Sequence, residues 1–322
     1  MPLSHGEIGT ASSRDTRGRL AGLRIGGYLL GSLITTGSMA ELYEALDVRA
    51  SRHVAMKVLS PLLATDPHFV ERFRDEARHI GHLRHPHVVP LYDWGEDRGE
   101  LFLVMPRFPD TLRGLLRLEG RLSPLDAIDI ALAIADALVM AHEYGIVHRD
   151  IKPENILIAS DRRPALADFG IARELRSLAA PGARQTLTAM GLPVGSPVYM
   201  APEQLRGERV DHRADLYALG AVLYELVTSH PPHSGATSAE VITRKLTLPV
   251  PPLAAQGYAV CSALNHVILQ VLAREPHERY QDAAAFLSGL RWARAQQERY
   301  SEEEDEGSPT AAYPAAHAHA QQ

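Results

Sequence analysis

The chain has 322 residues, 45% of them hydrophobic and 22% charged, the balance of an ordinary folded protein able to bury a sizeable core in one large domain or two. A formal net charge of −6 offers no basic excess to neutralise phosphates, which argues against a nucleic-acid binder. One cysteine, Cys261, rules out an internal disulfide framework and reads as a small buried hydrophobe.

No apolar run reaches the roughly 20 residues of a membrane span. "LYALGAVLY" stops at Glu225, and "IALAIADALVMA" is cut by Asp136. The N-terminus lacks the basic-then-apolar pattern of a signal segment, so a cytoplasmic protein is expected.

Residues 1–24 are small and polar without periodicity and read as a flexible leader. From 25 to about 105 come short β-branched or alternating runs, "YLLGSLI", "ELYEAL", "HVAMKVL", "VVPLYDW" and "ELFLVM", with one helix among them. Between the first two lies "LITTGSMAEL" (33–42). It has the setting of a phosphate-cradling loop but one glycine, Gly37, where a G-x-G-x-x-G pattern has three. In "HVAMKVLS", strand alternation turns Ala55 and Lys57 one way and Val54, Met56 and Val58 the other.

The helix lies in "DPHFVERFRDEARHIGHL", with Asp66 as N-cap and Pro67 at its first position. At 100° per residue, Phe69, Phe73 and Ile80 share a face with Glu76 in its middle. A carboxylate on an inward face is costly unless paired, and Lys57 on the neighbouring strand is the expected cation. His79, His82, His85 and His87 follow closely and read as solvated or structural side chains, not metal ligands.

Residues 110–293 read as mainly helical, with strand-like pieces at "NILIA" and "PALAD". Ser123 and Asp126 form a capping-box-like start for a long helix to about Tyr144, with Gly145 as its stop. Then comes "IVHRDIKPENILI", which places Asp150, Lys152 and Asn155 on a loop between helix and strand. "ADFG" sets Asp168 at a strand end. Asn155 and Asp168 together with phosphate oxygens would suit Mg²⁺, which takes few protein ligands and keeps its waters. The end, 294–322, joins an acidic run to Ala/Pro/His low complexity and reads as a disordered tail. A β-rich part followed by a helical part predicts an α+β fold of two lobes with a cleft between them.

The motifs in order resemble those of the eukaryotic-type serine/threonine protein kinases, particularly the bacterial group. They are "VAMK" (54–57), Glu76 in the helix, "HRDIKPEN" (148–155), "DFG" (168–170), "APE" (201–203), and "DHRADLYALGAVLYELVT" with Asp215 and Gly220. The resemblance covers roughly 28–291. It implies a bilobal kinase domain over 25–293, with a small lobe over about 25–105 and a helical lobe over about 106–293.

The resemblance also implies roles. Asp150 would accept or orient the proton of a substrate hydroxyl, and Lys152 would neutralise the transferring γ-phosphoryl. Asn155 and Asp168 would hold Mg²⁺, with Mn²⁺ as a substitute. Lys57, fixed by Glu76, would contact the α- and β-phosphates of ATP. The nucleotide site would comprise Ile34, Thr35, Thr36, Gly37, Ser38, Met39, Ala40, Glu41 and Leu42 of the loop, then Ala55, Lys57 and Glu76. Met105, Pro106 and Phe108 would form the hinge, adenine being read by the carbonyl of Pro106 and the N–H of Phe108. Arg279 in "REPHERY" resembles the arginine that pairs with the APE glutamate, Glu203.

His148 would organise its loop by hydrogen bonding. Arg149 would be a structural partner or a receiver for phosphate on the activation segment. Thr186 and Thr188 form a T-x-T pair resembling the phosphorylated threonines of bacterial kinases, which implies autophosphorylation, with self-association for transfer in trans. Ser196 keeps the hydroxyl that in the family bonds the catalytic aspartate. The partners implied are proteins with serine or threonine acceptors.

Two departures stand out. Thr35 takes the place of the loop's first glycine and Ala40 that of the third. A β-branched residue disfavours positive φ, so Thr35 is expected to weaken ATP binding. A pseudokinase scaffold and an aminoglycoside-phosphotransferase-like enzyme are the competing readings. Intact Lys57, Glu76, Asp150 and Asp168 argue against the first, and the APE segment with its T-x-T loop against the second.

Overall fold

The computed structural model describes residues 18–37, 40–169 and 197–307. Ser38, Met39, Gly170, Thr186, Thr188 and Ser196 lie outside the described residues, as does the histidine-bearing end of the chain.

Among the described residues, the first lobe is a six-stranded antiparallel sheet in the order β1-β2-β3-β4-β6-β5. Its strands are β1 Arg24–Ile25, β2 Tyr28–Thr36, β3 Ala40–Asp47, β4 Arg52–Leu59, β5 Asp93–Asp97 and β6 Glu100–Pro106. Alternation sorts β4 as its sequence requires. Val54, Met56 and Val58 join Tyr28, Leu30 and Tyr43 on one face. Ala55 and Leu59 turn to the other, where they pack with Phe69, Phe73 and Ala77 of the helix α2 Pro67–Gly81. That helix starts where its cap residues place it, Asp66 accepting a hydrogen bond from His68 N at 2.9 Å. A short α1, Pro61–Ala64, precedes it.

The leader is not loose throughout. Leu20 is buried in the first-lobe core, its N–H donates to the Tyr43 hydroxyl, and Arg19 pairs with Glu41 at 3.1 Å and with Glu100 at 2.5 Å. These contacts, with the backbone bonds Gly22 N to Leu30 O at 2.8 Å and Leu30 N to Leu23 O at 2.9 Å, strap residues 18–23 onto the sheet.

The second lobe begins with β7 Asp110–Thr111 and α3 Leu112–Glu119, then α4 Pro124–Glu143. Ser123 caps α4 by accepting from Asp126 N, and Gly145 follows it at φ 72°. β8 Ile156–Ile158 and β9 Pro164–Leu166 pair with each other and with β7. Four helices follow a short α5, Pro202–Arg206: α6 Arg213–Thr228, α7 Ser238–Thr247, α8 Ser262–Val271 and α9 Ala283–Gly307. Helix α6 is buried at every position from Ala214 to Thr228, as befits the axis of the lobe. At Gly220 it approaches α8 so closely that a Cβ would stand 2.3 Å from Val271 Cγ1.

Helix α9 corrects the expected tail, since residues 294–307 continue the helix. Gln297 explains the first turns past 293. It is buried, and its amide oxygen accepts from Cys261 N at 2.8 Å, while Arg294 pairs with Asp129 on α4.

Candidate active site

Asp150, Lys152 and Asn155 sit on the loop between α4 and β8, and Asp168 follows β9. The loop is held from beneath by α6. Asp215, fully buried, accepts from the backbone N–H of His148 at 2.8 Å and of Arg149 at 2.7 Å, while His142 Nε2 lies 2.9 Å away. Burial alone would raise the Asp215 carboxyl. The hydrogen bond and charge of His142, with the N–H donors, hold it below the usual carboxylate range.

His148 is buried beside this anchor. Its Nε2 lies 2.7 Å from the Ala167 carbonyl, and its ring meets Phe169 edge-on at 4.7 Å. The loop and the Asp168 strand end are thereby locked together. Arg149 and Asp168 both adopt left-handed backbone, φ 68° and 65°, a conformation that costs such residues about 1 kcal/mol or more and that surrounding contacts must enforce.

The polar side chains converge. Lys152 Nζ lies 2.7 Å from Asp150 Oδ2, and the Asn155 amide nitrogen donates to the Asp150 carbonyl at 2.7 Å and to Oδ2 at 3.0 Å. Because that nitrogen is spent on Asp150, Asn155 Oδ1 remains as an oxygen donor. Together with the Asp168 carboxylate it fits a small hard cation such as Mg²⁺.

From the opposite lobe Lys57 reaches across to Asp168, Nζ to Oδ2 2.7 Å. Burial would raise the Asp168 carboxyl, and the Lys57 ammonium outweighs it and holds the group below its ordinary range. Asp168 is thus a partner of Lys57 that the sequence did not single out, and Glu76, the expected partner, is itself engaged. Glu76 is half-buried on the face of α2 that carries Phe73 and Ile80, so its phase is as expected.

The glycine-poor hairpin also differs from expectation. Thr35 belongs to the extended part of β2, paired with Leu42, so nothing there calls for positive φ. Gly37 N donates to the Ala40 carbonyl at 2.8 Å, and a Cβ on it would meet that oxygen at an ordinary 3.5 Å. Ile34, Thr35, Thr36 and Gly37 are exposed. Ala40 and Leu42 join the apolar cluster of the cleft, whereas Glu41 does not face it. Glu41 accepts from the Tyr43 hydroxyl and pairs with Arg19 on the far side of β3.

The rest of the cleft wall is apolar. Ala55, Met105 and Phe108 share one cluster with Leu157 and Ala167 from the second lobe, two residues the motifs did not single out. Leu157 carries a readable signal: on β8 it is the half-buried member between buried Ile156 and Ile158. Pro106 ends β6 opposite Val54, where the missing N–H closes the strand. Behind Met105 lies a small cavity of about 30 Å³ bordered by Ile80, Leu103, Asp168 and Phe169. A larger one, about 550 Å³ among α3, α4 and α9, holds none of the expected site residues.

Glu203 and Arg279 form a buried bidentate pair, both contacts 2.8 Å, and Arg279 also donates to the carbonyls of Ala273 and Arg274. The histidines after α2 have ordinary partners: His85 pairs with Asp136, and His87 Nδ1 lies 2.8 Å from the Pro164 carbonyl. No group of three His, Cys, Asp or Glu suited to a metal ion occurs among the described residues, and none of their helices is long and apolar enough to cross a membrane.

Residues 28–289 match the protein kinase domain. Serine/threonine-protein kinase PknB of Mycolicibacterium smegmatis is 41% identical over 269 residues, covering 82% of this chain and 42% of that relative. Serine/threonine-protein kinase PknD of Mycobacterium tuberculosis is 42% identical over 264 residues, covering 81% and 39%. The chain therefore spans less than half the length of these relatives. Among solved structures, the Mycobacterium tuberculosis PknI kinase domain superposes with a TM-score of 0.64 at 29% identity, covering 85% of this chain and 98% of that one. With its two lobes, the polar groups gathered between them, and a family match running through both, the chain belongs to the protein kinase domain family.

Proposed function

We propose that the chain is an ATP-dependent serine/threonine protein kinase that transfers the γ-phosphoryl of ATP to protein hydroxyls. The observation that carries this reading is the convergence of Lys57, Asp168, Asp150, Lys152 and Asn155 on one cleft. Transfer of this kind is achieved mainly by alignment and charge stabilisation, which such a convergence provides.

In this reading Asp150 takes up the proton of the acceptor hydroxyl as its oxygen bonds to the γ-phosphorus, and the bond to the β-phosphate oxygen breaks to release ADP. Lys152, already beside Asp150, meets the charge of the moving phosphoryl. Lys57 leaves part of its interaction with Asp168 to contact the α- and β-phosphates. The adenine lies against Ala55, Leu157 and Ala167, with the Pro106 carbonyl and Phe108 N–H as its hydrogen-bonding edge. Mg²⁺, or Mn²⁺ in its place, would be held by Asn155 and Asp168 and would supply positive charge against the phosphates.

Protein substrates bearing serine or threonine, self-association with transfer in trans, and Thr186 and Thr188 as targets complete the proposal. So does a cytoplasmic location, where ATP is available and a lone cysteine stays reduced. Incubation of the full chain with labelled ATP, Mg²⁺ and myelin basic protein tests it. Label on serine and threonine, mapped by mass spectrometry, is expected. Absence of label, or label confined to tyrosine, would contradict it.

A further inference from the structure

Lys245 lies on α7 one turn after buried Val241 and is itself 3% exposed. A buried ammonium is costly unless its donors are met, and here they are. Nζ stands 3.0, 2.6 and 2.7 Å from the carbonyl oxygens of Pro197, Val198 and Met200. The Tyr217 ring is centred 5.1 Å away. An ammonium has three N–H donors and no acceptor, so three carbonyls use it completely.

Those carbonyls belong to the stretch that leads into α5, and this stretch adjoins the loop of Asp150. Gln204 Nε2 donates to the Arg149 carbonyl at 3.3 Å. The Tyr199 hydroxyl donates to Glu225 at 2.5 Å, and Arg113 bonds Tyr199, Glu225 and Glu154, the neighbour of Asn155. Residues 197–200 are thus a stretch of backbone tied to the Asp150 loop through Arg113 and through Gln204 just beyond it, and pinned by Lys245.

We propose that Lys245 is a positioning residue for the protein acceptor, its ammonium fixing the backbone of residues 197–200 against which the acceptor segment docks. This rests on the reading of Asp150 as the group that receives the acceptor hydroxyl. Methionine at 245 would fill much of the same space yet leave three carbonyls without their donor. That backbone would then be free to shift while the cleft residues Lys57, Asp168 and Ala55, which Lys245 does not touch, keep their contacts.

The device is sensitive to pH. The charged and titratable groups around it are Arg279 and Glu203, Tyr217 from α6, His233 ahead of α7, Arg244 beside it and Arg274 after α8. Burial, and then the Arg279 guanidinium, push the Lys245 ammonium down to about 7, with Glu203 opposing. Below that value three donors serve three carbonyls. Above it the neutral amine has two donors and turns a lone pair toward an oxygen.

The test measures steady-state kinetics of the full chain on myelin basic protein, wild type against Lys245→Met, with Asp150→Asn alongside. Lys245→Met should raise KM for the acceptor by about fivefold or more and leave KM for ATP within about twofold. Wild-type acceptor KM should rise from about pH 6.5 to about 8.5, and the variant's should stay flat across that range. An unmoved acceptor KM, or an equal rise in both KM values, overturns the role of Lys245 alone. Should the variant fail to fold, the wild-type profile decides, and a flat profile overturns the proposal. Transfer that survives in Asp150→Asn overturns the reading of the loop, and the role of Lys245 with it.

Discussion

Lys57 on β4 and Asp168 after β9 form an ion pair, 2.7 Å from Nζ to Oδ2, that joins the two lobes across the cleft. In the proposed function the pair stands where the phosphates and their cation would lie, so nucleotide would share or displace it. Lys57→Met should lower phosphoryl transfer by about 10²–10³-fold while the protein still unfolds cooperatively, since the charge it removes serves the phosphates. The same change frees the Asp168 carboxyl to titrate higher. Its folded value is depressed in the wild type, so the pair contributes stability above the ordinary 3.8 and loses it as pH falls through the lower folded value. Acid unfolding followed by circular dichroism should therefore begin at higher pH in Lys57→Met.

Asp215 anchors the His148 and Arg149 backbone from α6 with both carboxylate oxygens. In Asp215→Asn one oxygen becomes an NH₂ that faces an N–H, donor against donor. A fall in kcat of roughly tenfold or more is expected, with KM for ATP little changed, because the loop carrying Asp150 loses its register while the cleft wall does not. Initial rates over a range of ATP concentrations separate the two.

Removing one member of the buried Glu203–Arg279 pair strands a charge. Arg279→Met should cost about 3–5 kcal/mol in urea unfolding, and Glu203→Gln combined with it should cost less than the sum of the single changes. Additive losses would show that the two side chains act independently.

Thr35 was expected from its β-branch to weaken nucleotide binding. It lies in extended backbone opposite Leu42, where a β-branched residue is at home. Thr35→Gly should therefore leave KM for ATP within about twofold, and a severalfold tightening would restore the original expectation.

The parts of this protein that were legible in its sequence are those where chemistry demands one residue type. Lys57, Asp150, Lys152, Asn155 and Asp168 have few substitutes, and the two-residue alternation of β4 and the face of α2 placed Lys57 and Glu76 correctly by side. What escaped was distance. Periodicity gives a direction and not a gap, so the contact of Lys57 with Asp168, 111 residues on, had no signature.

Lys245 escaped notice although, like Glu76, it is a charge on the same helical stripe as an apolar residue, here Val241 one turn before it. Its partners are backbone carbonyls, which have no sequence signature. The leader and the end of α9 were misread for a related reason. Composition there is polar, but single residues, Leu20 at one end and Gln297 at the other, find buried partners and carry their neighbours with them.

The central claim is that this cleft transfers phosphoryl groups with Asp150 at the reacting hydroxyl. It is tested most directly by the rate at which purified full chain and Asp150→Asn, side by side, label myelin basic protein from γ-labelled ATP with Mg²⁺. The account predicts steady label on serine and threonine with the wild type and a loss of about 10²-fold or more in the variant. Equal rates in the two, or no label with either, would contradict it.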